Sequence, residues 1–295
     1  MSPSSIRIVD VLVHGGKQGA VELARVLGAW LKERVELARF HHDLKQFSQH
    51  GRDLSAGHSS EPAPDLVIVL GGDGALLGAV RAFGEAPVPT LGINFGQVGF
   101  LASTPASRWE ETLISVLEGN AATEPRLRLE LELPGKGGSQ RHVALNDVVL
   151  SRSPEQSMLR AALWVGEDWV TDYRADGLIF ATPSGSTAYA LSAGGPILGP
   201  SLEAILVTPI CSQSLANRPI VLEPQVELSV ELVGGTGPAD VVVDGRRVGE
   251  LGPDQRLRIV RHPVPYPIVA LPSLDPYRRW RDRLGWTGSV TERPT

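Results

Sequence analysis

The turn Gly71-Gly72-Asp73-Gly74 is where the residue types of this chain speak most directly of chemistry. It follows the apolar run Leu66-Val67-Ile68-Val69-Leu70 and precedes a helical pattern over residues 75–83. Glycines let a backbone turn sharply and approach a ligand, and a helix N-terminus favours an anion, so a phosphate fits at this point. Asp73 is the unusual member. A carboxylate repels bare phosphate unless a divalent cation lies between them or the carboxylate takes a proton from a hydroxyl. That combination points to phosphoryl transfer, in which the protein mainly positions groups and neutralises charge. Two other readings stay open on the turn alone. One is a tight βα turn whose Asp caps the helix. The other is a variant dinucleotide fingerprint, Gly72-x-Gly74-x-x-x-Gly78. Against it, residues 91–99 hold no Asp or Glu where that fingerprint expects a ribose-binding acid about 20 positions on. No Gly-x-x-x-x-Gly-Lys-Ser/Thr phosphate loop occurs in the chain.

A second cluster runs through Asp172-Tyr173-Arg174-Ala175-Asp176-Gly177 to Thr182-Pro183-Ser184-Gly185-Ser186-Thr187-Ala188-Tyr189. A strand ending in a Pro-Ser-Gly-Ser-Thr turn supplies backbone donors and hydroxyls, and Tyr189 supplies a face on which a purine can stack. A serine-rich solvent turn would leave Arg174 and Asp176 without a purpose. Asn146-Asp147 interrupts an apolar run between Val143-Ala144-Leu145 and Val148-Val149-Leu150. Burying such groups unpartnered costs about 1–3 kcal/mol, so a ligand or the backbone must partner them. Asp244-Gly245 after Val241-Val242-Val243 also reads as a plain hairpin turn. His41, His42, His50 and His58 lie with Asp43 in the polar stretch 41–64, but without regular ligand spacing they read as a solvated loop. Ser184 and Ser186 are outside any Gly-x-Ser-x-Gly elbow, which gives serine hydrolase chemistry no support.

These residues need a scaffold, and the chain changes character partway along. Residues 6–13 form a β-branched run that ends at Gly15-Gly16 and leads to apolar Leu23, Val26, Leu27, Trp30 and Leu31 at helical spacing. With the runs at 66–70 and 90–94, strand and helix alternate as in a doubly wound, Rossmann-like parallel α/β sheet. After Pro125 leucine alternates with charge at Leu127, Leu129, Leu131 and Leu133, the pattern of a half-buried antiparallel strand. Short strands follow, including a hairpin around Gly166-Glu167-Asp168. Residues 276–284 return to helical spacing at Tyr277, Trp280 and Leu284. The expected division is an α/β domain over 1–122, an all-β domain over 123–270, and a C-terminal segment, 271–295, that packs back on the first. A net charge of −5 argues against nucleic acid as partner. One cysteine, Cys211, permits no internal disulfide, and no apolar stretch approaches a membrane span. The amino terminus lacks a signal-peptide pattern, so the expected location is the cytoplasm.

Taken together, these stretches resemble the NAD kinase family from about Asp65 to Trp286. The resemblance rests on Gly71-Gly72-Asp73-Gly74, Gly92-Ile93-Asn94-Phe95-Gly96-Gln97-Val98-Gly99-Phe100-Leu101, Leu145-Asn146-Asp147, Asp176-Gly177 through Ala193-Gly194-Gly195-Pro196, Arg218-Pro219-Ile220 and Leu284-Gly285-Trp286. The first turn is shared with diacylglycerol, sphingosine and phosphofructo-kinases. The Ser-Thr-Ala-Tyr block with the Asn-Asp pair is far more specific. The resemblance implies transfer of a phosphoryl group from ATP or polyphosphate to the 2′-hydroxyl of NAD's adenosine ribose. Mg²⁺ would ride on the triphosphate, and the assembly would be a homodimer or homotetramer. It implies Asp73 as proton acceptor and Gly74 as its NAD-contacting neighbour. Asn146 and Asp147 would grip a ribose, and Arg174, Asp176, Thr187, Ala188, Tyr189, Ala190, Leu191 and Ser192 would make the remaining NAD contacts. Asn94, Phe95, Ser184, Asp244 and Arg246 stand as further candidate contacts. Ala75, Ser184, Ser212-Gln213 and Arg246 depart from the family's common residues, and none of them removes the base.

Overall fold

The computed structural model describes residues 6–42, 62–84, 86–96, 99–135, 137–155, 157–235, 237–270 and 276–286. His50, His58 and Asp43 of the polar stretch, Gln97 and Val98 of the second glycine-rich turn, and much of the segment 271–295 lie outside them. The chain divides into two compact units: the described residues up to Glu124 and from Pro267 onward form one, and Pro125–Tyr266 the other.

The first unit is built on a sheet of β1 (Ile8–Val13), β2 (Leu37–His41), β3 (Leu66–Leu70), β4 (Thr90–Asn94), β5 (Thr104–Pro105) and β6 (Ala122–Arg126), completed late in the chain by β19 (Tyr266–Ala270). The order is β2-β1-β3-β4-β19-β6, with β5 on β4, and the pairings of β1 with β2 and β3, β3 with β4, and β4 with β19 are parallel. Every residue of β3 and β4 is buried, so their near-continuous apolar character is the consequence of both faces being covered. Helix α1 (Gln18–Lys32) buries Ala20, Ala24, Leu27, Trp30 and Leu31, the one stripe its spacing allows. Trp30 meets Trp109 of α3 (Trp109–Leu117) edge to face at 5.6 Å. Between these helices in sequence, α2 (Asp73–Ala82) leaves the end of β3. It starts two residues before the helical pattern read from sequence, because Gly72 takes the extended N-cap conformation and Asp73 becomes the first helical residue.

The second unit holds two antiparallel six-stranded sheets. One runs β11 (Asp168–Ala175), β10 (Leu159–Val165), β15 (Leu228–Leu232), β18 (Arg256–Arg261), β7 (Leu129–Leu133), β8 (Gln140–Ala144). The other runs β14 (Ile220–Leu222), β13 (Ile205–Ile210), β12 (Gly177–Ala181), β9 (Asp147–Arg152), β16 (Ala239–Val243), β17 (Arg246–Leu251). Alternate residues of both, such as Leu129, Leu131, Leu163 and Leu257 from the first and Val148, Leu150, Phe180 and Val241 from the second, form one core. On the far face of the second sheet, Val149, Ile179, Ala181 and Leu206 pack against Ala190 of the short helix α4 (Tyr189–Ser192) and against Leu198 and Ala204. The hairpin expected at Gly166 is present, with Val165 opposite Asp168 and Gly166 at φ 58°. The α/β unit and the all-β unit are as the sequence implied, and the chain is back in the first unit from Pro267, where β19 joins its sheet. The last described helix, α5 (Pro276–Leu284), places the Arg283 guanidinium 5.7 Å from the Phe100 ring centre.

Candidate active site

The candidate residues fall into both units, and each group is built by its own turns. In the first unit, Asp73 stands in the first turn of α2, where a negative side chain is favoured by the helix dipole. It does not cap the helix. Its carboxylate accepts three consecutive backbone N–H groups from the turn after β4: Phe100 on Oδ2 at 2.9 Å, and Leu101 and Ala102 on Oδ1 at 3.2 and 2.8 Å. A carboxylate has about four lone-pair positions, so these bonds fix its plane and leave capacity for one more partner. Gly99 makes the approach possible, because a Cβ there would lie 1.9 Å from Asp73 Oδ1. Beside Gly74 a Cβ would meet nothing within 4 Å, which leaves the turn open at that point. Gly71 abuts Ala75, whose Cβ lies 2.6 Å from where a Cβ on Gly71 would stand.

Asn94 ends β4, buried, with Oδ1 4.0 Å from the position of a Cβ on Gly72. The Phe95 ring packs on Gly19 of α1 and, partly buried, against the core; its carbonyl accepts a bond from Lys17 Nζ at 3.4 Å. Lys17 brings a cation within reach of the acidic turn. Its only sequence signal was its place after Gly15-Gly16, which the strand-turn-helix reading had already absorbed.

In the second unit, the Asn146-Asp147 turn is pinned from two sides. Asp244 accepts the N–H groups of Leu145, Asn146 and Asp147 at 2.9, 2.8 and 3.1 Å. Thr182 donates its N–H to Asn146 O at 2.9 Å and its hydroxyl to Leu145 O at 2.6 Å, while accepting the Gly185 N–H at 3.1 Å. Gly185 is required by the close approach, since a Cβ would lie 2.0 Å from Asn146 O. What this turn presents is Asn146 Oδ1, a buried acceptor without a hydrogen-bond partner, together with the Asp147 side chain. Burial, and next the charge of Asp244, push the Asp147 carboxyl up to about 7 against a smaller opposing pull from the Tyr189 backbone N–H.

The Ser184–Ser192 block divides between scaffold and surface. Ser186 is buried, donates to Pro183 O and accepts the Leu198 N–H, and Ala190 turns its methyl group into the core. Thr187 bonds back to Ser184 O at 3.0 Å, and Tyr189 and Ser192 are exposed. Asp176 pairs with Arg152 at 2.8 Å, half-exposed. Arg174 lines a cavity of about 310 Å³ with Asp172, Gln213, Ser214 and Asn217, and its carbonyl accepts the Gln213 N–H at 2.8 Å. Asp244 is the first residue of the turn between β16 and β17, and Arg246 begins β17; Asp244 spends its carboxylate on the backbone of residues 145–147, and Arg246 is exposed. Sequence reasoning did not single out Gly99 or Thr182 as functional positions: Gly99 acts by lacking a Cβ beside the Asp73 carboxylate, and Thr182 by bonding the backbone of Leu145, Asn146 and Gly185. Among the described residues no three His, Cys, Asp or Glu side chains gather where they could hold a metal ion.

An acid fixed by backbone amides in a glycine-rich βα turn, in a chain without a P-loop, suits a phosphotransferase that works by positioning and charge neutralisation. Residues 9–121 match the family description "ATP-NAD kinase N-terminal domain" and residues 145–271 "ATP-NAD kinase C-terminal domain". The NAD kinase of Gemmatimonas aurantiaca is 36% identical over 92% of this chain and 95% of its own, and that of Marinobacter nauticus 35% over 93% and 96%. Among solved structures, yeast NADH kinase complexed with NADH superposes with a TM-score of 0.82 at 23% identity, covering 99% of this chain and 91% of that one, a likeness of fold. An NAD kinase from Archaeoglobus fulgidus in complex with ATP superposes at 0.70 and 25% identity, covering 95% and 98%. The chain belongs to the NAD kinase family.

Proposed function

We propose that this chain transfers the terminal phosphoryl group of ATP to the 2′-hydroxyl of NAD's adenosine ribose, with Asp73 accepting the hydroxyl proton. The observation that carries this reading is the Asp73 carboxylate, fixed by three amides yet keeping a free lone pair beside the open face of Gly74. In the step, the ribose oxygen forms a bond to the γ-phosphorus, the γ-phosphorus–oxygen bond to ADP breaks, and the proton passes to Asp73. The orphaned Asn146 Oδ1 and the Asp147 side chain receive ribose hydroxyls. Arg174, Asp176 and the exposed side of residues 187–192 hold the rest of the dinucleotide, with Tyr189 as stacking face.

Mg²⁺ enters with the donor as part of the nucleotide substrate, where it neutralises phosphate charge. Polyphosphate is the second donor to try. A homodimer or homotetramer and a cytoplasmic location complete the reading; among the described residues no helix is long and apolar enough to cross a membrane. The purified chain incubated with NAD, ATP and Mg²⁺ should form NADP, detected by an NADP-specific dehydrogenase. No product with either donor would overturn the assignment.

A further inference from the structure

Asp244 and Gly245 are the two loop residues of the β16–β17 hairpin, at φ 45° and 75°, with Val243 paired to Arg246. Positive φ at both positions is the requirement of a type I′ turn, which Asp-Gly satisfies. Any residue that tolerates this conformation would close the hairpin, Asn or Gly as well as Asp. The carboxylate does something the turn does not need. It reaches across to a segment 98 positions away and bonds three successive N–H groups, those of Leu145, Asn146 and Asp147. The backbone of Asp244 returns a bond from its own N–H to Asp147 O at 3.0 Å. Two consequences meet at the same place. The three bonds set the direction in which Asn146 leaves the backbone, and Asn146 Oδ1 is buried without a partner there. The negative charge of Asp244 also faces the buried Asp147 carboxyl, 5% exposed, and favours its protonated form.

We infer that Asp244 is a positioning residue for dinucleotide recognition: through the amides of residues 145–147 it holds the Asn146 Oδ1 acceptor and the Asp147 side chain toward the ribose of NAD. This rests on the reading of Asn146-Asp147 as the ribose-binding pair. It departs from the expectation that Asp244 touches NAD itself. Among the described residues, Asp244 is the ionisable group whose charge acts on Asp147, and the Tyr189 backbone N–H is the other polar influence on it.

Asp244→Asn keeps the shape and the turn preference while removing the charge and one of the two acceptor oxygens. Steady-state kinetics with each substrate varied should show KM for NAD raised tenfold or more, with KM for ATP within twofold of wild type. Wild type should bind NAD more weakly as pH rises through about 7, and in Asp244→Asn that midpoint should move to lower pH. A purely structural role would lower melting temperature or active fraction and leave both KM values and the midpoint unchanged, and that result overturns the inference. Equal rises in both KM values overturn it too. Equilibrium dialysis of NAD against wild type and Asp244→Asn reads the same difference without turnover, so absence of NADP synthesis would sink the proposed reaction without touching this comparison. Should Asp244→Asn not fold, Asp244→Glu keeps the charge and displaces it: a raised KM for NAD with the pH midpoint in place supports the inference, and an unchanged KM contradicts it.

Discussion

Replacing Gly99 by alanine tests whether the orientation of Asp73 is set by the turn after β4. The added Cβ would lie 1.9 Å from Asp73 Oδ1, 2.5 Å from Cγ and 2.6 Å from Oδ2. Bringing it to van der Waals contact requires the carboxylate and the turn to separate by more than about 1 Å. That movement breaks the geometry of the bonds from Phe100, Leu101 and Ala102, each now between 2.8 and 3.2 Å. A displacement of about 1 Å at a reacting group costs on the order of 10²-fold in rate, within the range of about 10²–10⁴ that general-base catalysis contributes. Gly99→Ala should therefore lower kcat for NADP formation about a hundredfold or more while the fold, followed by circular dichroism and thermal melting, is kept. Gly78→Ala in the interior of α2 is the control. Its Cβ meets only the flexible end of Arg81, at 3.9 Å, so activity should persist and stability rise by about 0.5–1 kcal/mol. If Gly99→Ala turns over within about threefold of wild type, the turn does not position the base and the argument fails.

Three further outcomes follow from the same structure. Gly185→Ala puts a Cβ 2.0 Å from Asn146 O, so KM for NAD should rise at least tenfold with KM for ATP unchanged; parallel changes in both would contradict the account of this turn. Thr182→Val removes the hydroxyl that joins Leu145 O to the Gly185 N–H and leaves both unpaired, which should cost about 1–3 kcal/mol in urea denaturation. Asp147 has its acid form favoured by folding, so its contribution to stability is present at acid pH and is lost as pH rises from about 4 to about 7, levelling above. Asp147→Asn should accordingly gain on wild type across that window by up to about 4 kcal/mol, and a difference independent of pH would show the group is not shifted.

The fold was legible wherever burial on both faces imposed composition. The runs of β3 and β4, and the alternating leucines of β7, announced a parallel sheet and then an antiparallel one. The edge strand β2 is only partly buried, and Arg39 and His41 break its apolar residues Leu37, Ala38 and Phe40, so no continuous apolar run marked it. β19 lay hidden because Pro267 falls within it, in a segment whose prolines read as loop. The site divides in the same way. Asp73, Asn146 and Asp147 stand out as polar residues at the ends of apolar runs. Their supports do not, because the partners are backbone N–H groups of residues 100–102 and 145–147, which every residue but proline possesses. Asp244 shows the limit most plainly: its type and its glycine neighbour explained a hairpin, and nothing local revealed that its carboxylate serves a turn 98 positions away.

The most direct test of the central claim is a single-turnover experiment with ATP labelled in the γ-phosphoryl group, comparing wild type with Asp73→Asn. Asparagine can still accept a bond from the turn but cannot take a proton from the 2′-hydroxyl at neutral pH. The account predicts label in the 2′-phosphate of NADP from wild type, and a rate from Asp73→Asn reduced by a factor of about 10² or more with NAD affinity held within about threefold. Label elsewhere than the 2′ position, or an Asp73→Asn enzyme within about tenfold of wild type, would contradict it.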